Sequence, residues 1–484
     1  MTPPRSRAAP SPPPPPPLPP SPSLLPRLAL LAALAAPRAA ARATPTPQQL
    51  AWQGNFGAIV HYNMATFAHH QGCSSGNWKD SSDPRLFGVG LSAAGGSVDT
   101  DSWARAMVAA NMSYAVYVAK HNCGFATWPT KVTLPGGAPY GYGVQQSSCP
   151  DCDVVRDFFA SCKKYGIRPG LYYSLATNIY LNVEGLVVQP NPQPGMARVT
   201  QRQFFDIALA QLEELWSYPG AEHALFEVWA DGGLPTDPYF QAGITALIAK
   251  HQPQAAIYNG WPVVNASAVR WIGTEAGSAP DPTWSSGSCG MGNAVCADCG
   301  GGDGGDPDAA DFCPAEVDAT LQSGDTWFYV EGLSTHPLGD LQQFYIKSLG
   351  RNSNLLLDIA PPPNSSVVPA HLGGYQALGD WVRGCFGAPV AAARMAPGAT
   401  SLELALPAGA SVNGVRLRED QSRGQLVRAY NVSAAGAQAP LAVGSSVGSG
   451  KVDVFAAVAA TSLRLEVDAA PTGLLLEALS CDFP

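Results

Sequence analysis

From Phe56 to Ala360 the chain returns repeatedly to one device, a short apolar run followed by a stretch with helical periodicity. The runs are FGAIVHY (56–62), YAVYVAK (114–120), RPGLYYS (168–174), ALFEVWA (224–230), AAIY (255–258), VRWI (269–272), WFYV (327–330) and NLLLDIA (354–360). Most are apolar on both faces, as parallel strands covered on each side must be, and too short to stand as helices. Between them, DTDSWARAMVAAN, DVVRDFFASCKKYG, QRQFFDIALAQLEELW, PYFQAGITALIAKH and LGDLQQFYIKSLG repeat apolar residues at helical spacing. Asp153 is placed to cap the second of these, and Gly166 to stop it after Lys163 and Lys164. Eight strands interleaved with helices predict an α/β fold, a (β/α)8-like TIM barrel, over residues 46–388. A doubly wound open sheet is the alternative, but no Gly-rich phosphate fingerprint follows the first strand.

Two segments depart from this rhythm. Between Gly277 and Asp325 the chain turns Gly- and Asp-rich, and a structureless loop of that length is a functional lid or disordered. Its aspartates lack the spacing of a calcium loop. After about Val390 helical periodicity disappears, and SLELALP, SVNGVRLRED, KVDVFAAV and SLRLEVD alternate with period two. That pattern predicts a C-terminal all-β sandwich over 389–484.

The N-terminal residues 1–45 belong to neither domain. SPPPPPPLPPSPS (11–23) has too few N–H groups for a helix and reads as polyproline-like or disordered. The apolar run from Leu28 to Ala36 follows Arg27, precedes small residues and is too short to span a bilayer. It predicts a signal peptide, with a transit peptide as the competitor. Eleven cysteines, including the pairs CPDC (149–152) and CADC (296–299), favour disulfides with one thiol left over. The pairs are too far apart for a ribbon-like zinc site. With sequons at Asn111, Asn265, Asn364 and Asn431, the expectation is a secreted or extracellular protein, or one of a lysosome or vacuole lumen. A net charge of −9 without a Lys/Arg cluster excludes a phosphate-tracking nucleic-acid binder, and no membrane contact is expected once the signal is removed.

In a barrel, side chains at the C-terminal ends of the strands converge on one mouth. His61, His121, Tyr172, Tyr173, Ser174, Asp231, Asn259, Trp261 and Glu275 all fall there. A strand-end Asp or His is commonly a cap or a hydrogen-bonded structural residue; a polar or aromatic residue at strand after strand is harder to explain so. Asp231 and Glu275 suit the two carboxylates of a glycosidase, about 5–5.5 Å apart when configuration is retained. Asp231, next to Gly232 and Gly233, is expected to stay ionised with room for a sugar beside it. Glu275, leading into the Gly-rich segment, is expected to be enclosed and its pKa raised. Glu227 shares the parity of Asp231 but lies deeper in the barrel.

GAIVHYNMATF, AKHNCGFATWPT, DVVRDFFASCKKYGIRPGLYYS, FEVWADGG, VRWIGTEAG and SLGRNSNLLLDIAPPPN together resemble the α-L-fucosidase family of glycoside hydrolases. The similarity is greatest to the branch acting on α-1,3 and α-1,4 linked fucose, which includes plant-type enzymes. It runs from about Trp52 to Pro363, with a looser match in the C-terminal domain. The resemblance implies a retaining exo-α-L-fucosidase acting on fucosylated glycans, with neither metal nor organic cofactor. Asp231 then matches the nucleophile and Glu275 the acid/base. His61, His121, Tyr173 and Trp229 match residues that hold the sugar, and Trp78 and Trp327 match aromatic walls. Asn122, Asn77 and Thr274 depart from the family pattern. A catalytically silent glycan-binding protein and another barrel glycosidase, such as a galactosidase, are the alternatives.

Overall fold

A computed structural model describes residues 43–91, 96–221, 224–259, 267–287, 289 and 303–484. The Pro-rich and signal segments, Trp261, the sequon at Asn265 and the CADC cysteines lie outside the described residues.

Eight parallel strands close into a barrel: β1 (Phe56–Val60), β2 (Tyr114–Lys120), β3 (Arg168–Ser174), β4 (Glu227–Asp231), β5 (Ala256–Tyr258), β6 (Ala268–Trp271), β7 (Ala315–Ala319) and β8 (Ser353–Ile359). They pair in chain order, and β8 closes on β1. Seven coincide with the apolar runs of the sequence. The eighth does not: β7 is AEVDA, and WFYV (327–330) is a loop at the barrel mouth. The misplacement has a physical cause. Glu316 and Asp318 point into the barrel and Val317 outward, so β7 carries its acids where an apolar signature is sought.

Two cores result. Ile59, Val116, Val118, Trp229 and Leu356 fill the barrel, while a larger cluster packs the outer face of the strands against the helices. Those helices include α1 (Thr100–Ala109), α2 (Val154–Tyr165), α3 (Gln201–Trp216), α4 (Pro238–His251), α5 (Leu338–Ser348) and α6 (Pro369–Phe386). The Asp153 side chain accepts from Arg156 N at the start of α2, and Gly166 ends that helix at φ 72°. Lys163 and Lys164 face the negative end of its dipole.

The α6–α1 crossing depends on one glycine. A Cβ on Gly379 would sit 1.8 Å from the Ala109 carbonyl oxygen, whereas one on Gly373, a turn and a half earlier in α6, meets nothing within 4 Å. Gly379→Ala is therefore expected to cost about 1–3 kcal/mol through overpacking. Gly373→Ala should stabilise by roughly 0.5–1 kcal/mol through helix propensity. Thermal melts of the two variants should move in opposite directions; equal shifts would refute the packing account.

After α6 the chain forms two antiparallel four-stranded sheets, with Val415, Leu417, Leu463, Leu465 and Leu476 buried between them. This sandwich, Ala391–Leu479, is fastened to the barrel. Cys385–Cys481 staples it to the end of α6, and Gln425 Oε1 accepts from Ser285 N (2.8 Å) and Asn352 Nδ2 (3.1 Å). Three further disulfides join Cys73–Cys123, Cys149–Cys152 and Cys289–Cys313. The CPDC pair thus closes on itself, and among the described residues Cys162 is the free, buried thiol.

Candidate active site

The C-terminal ends of the strands surround a small pocket that is open to solvent. Strand parity decides what enters it. On β4, Glu227, Trp229 and Asp231 point inward, while Val228 and Ala230 face the helices. Glu227 is fully buried below the pocket, as its depth predicts. The register pairs Trp229 with Tyr172 and Ala230 with Tyr173. Tyr172 therefore lines the pocket, and Tyr173, the tyrosine expected there, points the other way. Its hydroxyl donates to Gln211 Oε1 on α3 (2.7 Å), and Lys120 Nζ sits 4.4 Å from its ring centre.

Trp229 is held on three sides. Its ring stacks on Tyr258 (centroids 3.8 Å apart, 12° between planes) and more loosely on Tyr172 (5.3 Å). Its Nε1 donates to Glu316 Oε1 at 3.0 Å, and Glu316 also accepts from the Tyr114 hydroxyl (2.6 Å). Burial pushes the Glu316 and Glu227 carboxyls above the usual carboxylate range, and their mutual repulsion adds to the rise at Glu227.

Asp231 sits at the pocket edge, where the Tyr172 hydroxyl donates to Oδ2. Its carbonyl accepts from Leu175 N (3.1 Å) and Ala176 N (3.3 Å), tying β4 to the loop after β3. The first glycine that follows, expected to leave room for a sugar, serves this junction. Gly232 has φ 76°, and a Cβ there would lie 2.0 Å from the Ala176 Cβ.

His61 and His121 face Asp231 across the mouth, ring centres 5.9 Å apart. His61 Nδ1 is hydrogen-bonded to Asp358 Oδ1 on β8 (2.8 Å), leaving Nε2 as the nitrogen available to a ligand. Burial, then the neighbouring His121, holds His61 well below the ordinary imidazole range, and burial raises Asp358. Burial takes His121 down to about 4 despite the Asp231 charge. Both imidazoles are therefore neutral near pH 7 and suited to hydrogen-bonding hydroxyls.

Glu275 comes from the loop after β6. That loop is pinned to β7 by Ile272 N to Glu316 O (3.0 Å) and Gly277 N to Asp318 O (3.1 Å). The Glu275 Oε2 accepts from Trp327 Nε1 at 2.9 Å, and the Trp327 ring lies 5.1 Å from His61. Glu275 is exposed on the rim, because the loop carries it outward past the strand end, and the described residues do not make the enclosure expected of it. Trp78 is not in the pocket either. It is buried against Tyr142, its Nε1 donating to Pro194 O (3.1 Å).

One pocket carboxyl was not anticipated. Asp318 on β7 accepts from Trp271 Nε1 (3.0 Å), and burial, with Glu275 nearby, raises its carboxyl well above the usual range. Its signal was hidden with the strand that carries it. Among the described residues no group of three or more His, Cys, Asp or Glu side chains is placed to hold a metal ion.

A histidine pair, three carboxyls and stacked aromatics around a small open pocket can bind a sugar ring and exchange protons at one of its bonds. The sequence profile described as Alpha-L-fucosidase matches residues 92–385. Alpha-L-fucosidase 1 of Arabidopsis thaliana is 29% identical over 335 residues, which are 66% of this chain and 56% of that protein. An Oryza sativa relative assigned the same name is 30% identical over 334 residues, 66% of this chain and 55% of that one. The chain thus spans little more than half the length of these plant relatives. A crystal structure of a Bacteroides thetaiotaomicron protein assigned as an α-L-fucosidase superposes with a TM-score of 0.77 and 26% identity, covering 91% of this chain and 100% of that one.

Proposed function

Because the chain belongs to the α-L-fucosidase family, we propose that it is a retaining exo-α-L-fucosidase, releasing terminal α-1,3- or α-1,4-linked L-fucose from oligosaccharides or glycoprotein glycans in a secretory or lumenal compartment. One observation carries the reading: Asp231 at the end of β4 and Glu275 on the loop after β6 border the same pocket beside Trp229.

Tyr172 occupies Asp231 Oδ2, so Oδ1 is the oxygen free to attack the anomeric carbon. As that bond forms, the glycosidic C–O bond breaks, and the leaving oxygen takes the proton of Glu275. Water then enters on the vacated side. Glu275 takes one of its protons, the hydroxyl attacks the anomeric carbon, and Asp231 leaves as carboxylate. His61 Nε2 and His121 hold ring hydroxyls, and Trp229 and Trp327 wall the sugar. A bound glycan lying over the rim would enclose Glu275.

Hydrolysis of a nitrophenyl α-L-fucoside, Lewis-type trisaccharides and a nitrophenyl α-D-galactoside tests this. Turnover of both fucosides with the galactoside at least about a hundredfold slower is expected, since a site rejects a sugar whose groups it leaves unpaired. No turnover of any would favour the silent glycan-binding reading, and preference for the galactoside would favour the other glycosidase.

A further inference from the structure

Glu275 stands on an exposed loop, and among the described residues its carboxylate has one hydrogen-bond partner, Trp327 Nε1. Trp327 lies outside any strand, so whatever fixes its loop decides where Glu275 points. Its neighbour Phe328 is clamped by a side chain from the segment that follows β1. Gln71 Nε2 donates to Phe328 O (3.0 Å), and Phe328 N donates to Gln71 Oε1 (2.8 Å). One carboxamide thus makes the two bonds that a paired strand would otherwise make. The Phe328 ring is buried edge-on against His61 (5.2 Å) and His121 (5.0 Å), which fixes its other side.

Gln71 is itself tethered. Cys73, two residues on, is disulfide-bonded to Cys123 just past β2, and its N–H donates to Asn122 Oδ1 (2.8 Å). Gly72 between them packs closely on the same residue: a Cβ there would be 2.6 Å from Asn122 Nδ2. Gln71 does not line the pocket.

We infer that Gln71 is a positioning residue for Glu275, acting through Phe328 and Trp327, with the Cys73–Cys123 bridge holding Gln71 in place. The inference rests on the acid/base reading of Glu275 given above. Proton transfer to a leaving oxygen tolerates little misplacement of the acid. A loosened Trp327 loop should therefore impair protonation more than sugar binding, to which Trp229 and the histidines still contribute, or nucleophilic attack by Asp231.

The test uses the full chain with its disulfides formed and a series of aryl α-L-fucosides whose phenols differ in acidity. Gln71→Leu should slow substrates with poor leaving groups about tenfold and the most activated ones less than about twofold, because general-acid help matters least to the latter. Gln71→Glu, which keeps the acceptor for Phe328 N–H, should fall between wild type and Gln71→Leu. The limb of the pH profile that reports the acid should move in Gln71→Leu, with KM little changed. Equal losses across the series, or none, would overturn the inference. If Gln71→Leu does not fold, the Cys73→Ser/Cys123→Ser double variant removes the tether and should show the same leaving-group dependence, a uniform loss again overturning it. Wild-type protein that turns over none of the series would sink the functional reading first, and this inference with it.

Discussion

Asp231→Ala is expected to lower turnover of a nitrophenyl α-L-fucoside by about 10⁴-fold or more, the scale seen when a covalent nucleophile is removed. The loss should be chemical and not structural. The side chain has one hydrogen-bond partner among the described residues, the Tyr172 hydroxyl, and leaving that donor unpaired costs about 1–3 kcal/mol. The backbone junction with Leu175 and Ala176 uses the Asp231 carbonyl, which alanine keeps. The variant should therefore fold and still bind fucose. It also leaves space where the carboxylate stood, on the side from which Oδ1 would attack. Azide entering that space should restore activity and yield the β-L-fucosyl azide, because a small anion attacking from the nucleophile's side displaces the aglycone once, with inversion. A variant that keeps a tenth of wild-type activity, or a rescued product of retained configuration, would remove Asp231 from this role.

How much of this site is visible in the chain alone depends on whether a residue's place is set locally. Trp229 and Asp231 are two apart on one strand, so alternation sends both to the same face whatever surrounds them. Tyr172 and Tyr173 are adjacent and chemically alike, and the pairing of β3 with β4 decides between them. The strand-end rule admits both, the family resemblance implies Tyr173, and the register puts Tyr172 in the pocket. Trp78 precedes no strand end, and its burial against Tyr142 comes from a short helix packing on a distant loop. Strand β7 was missed because the barrel interior beneath a site is itself polar: Glu316 and Asp318 interrupt the pattern by which strands are found. The WFYV run reads as a strand for the converse reason. Trp327 and Phe328 are apolar because they cover the histidines at the mouth. The clamp from Gln71 to Phe328 spans 257 residues and leaves no local trace.

Glu275→Gln is the sharper test of the division of labour. Glutamine keeps the size of the side chain and an oxygen to accept from Trp327 Nε1, so the rim should be unchanged. What is lost is the proton. Fucosides of weakly acidic alcohols, Lewis-type trisaccharides among them, should slow by about 10²–10⁴-fold, the usual contribution of general acid catalysis. A nitrophenyl fucoside needs no such help in the first step but still needs a base to activate water in the second. For it, a burst of nitrophenol followed by slow turnover is expected as the fucosyl-enzyme accumulates. Glu275→Ala opens the rim to azide on the face opposite Asp231, and the product there should be the α-L-fucosyl azide. The two alanine variants should therefore give azides of opposite configuration from the same substrate, which places the carboxylates on opposite faces of the sugar without any appeal to rates. Equal losses on activated and unactivated substrates would assign the proton to another group. Asp318 would be the one to replace next, since burial already favours its protonated form and it borders the same pocket.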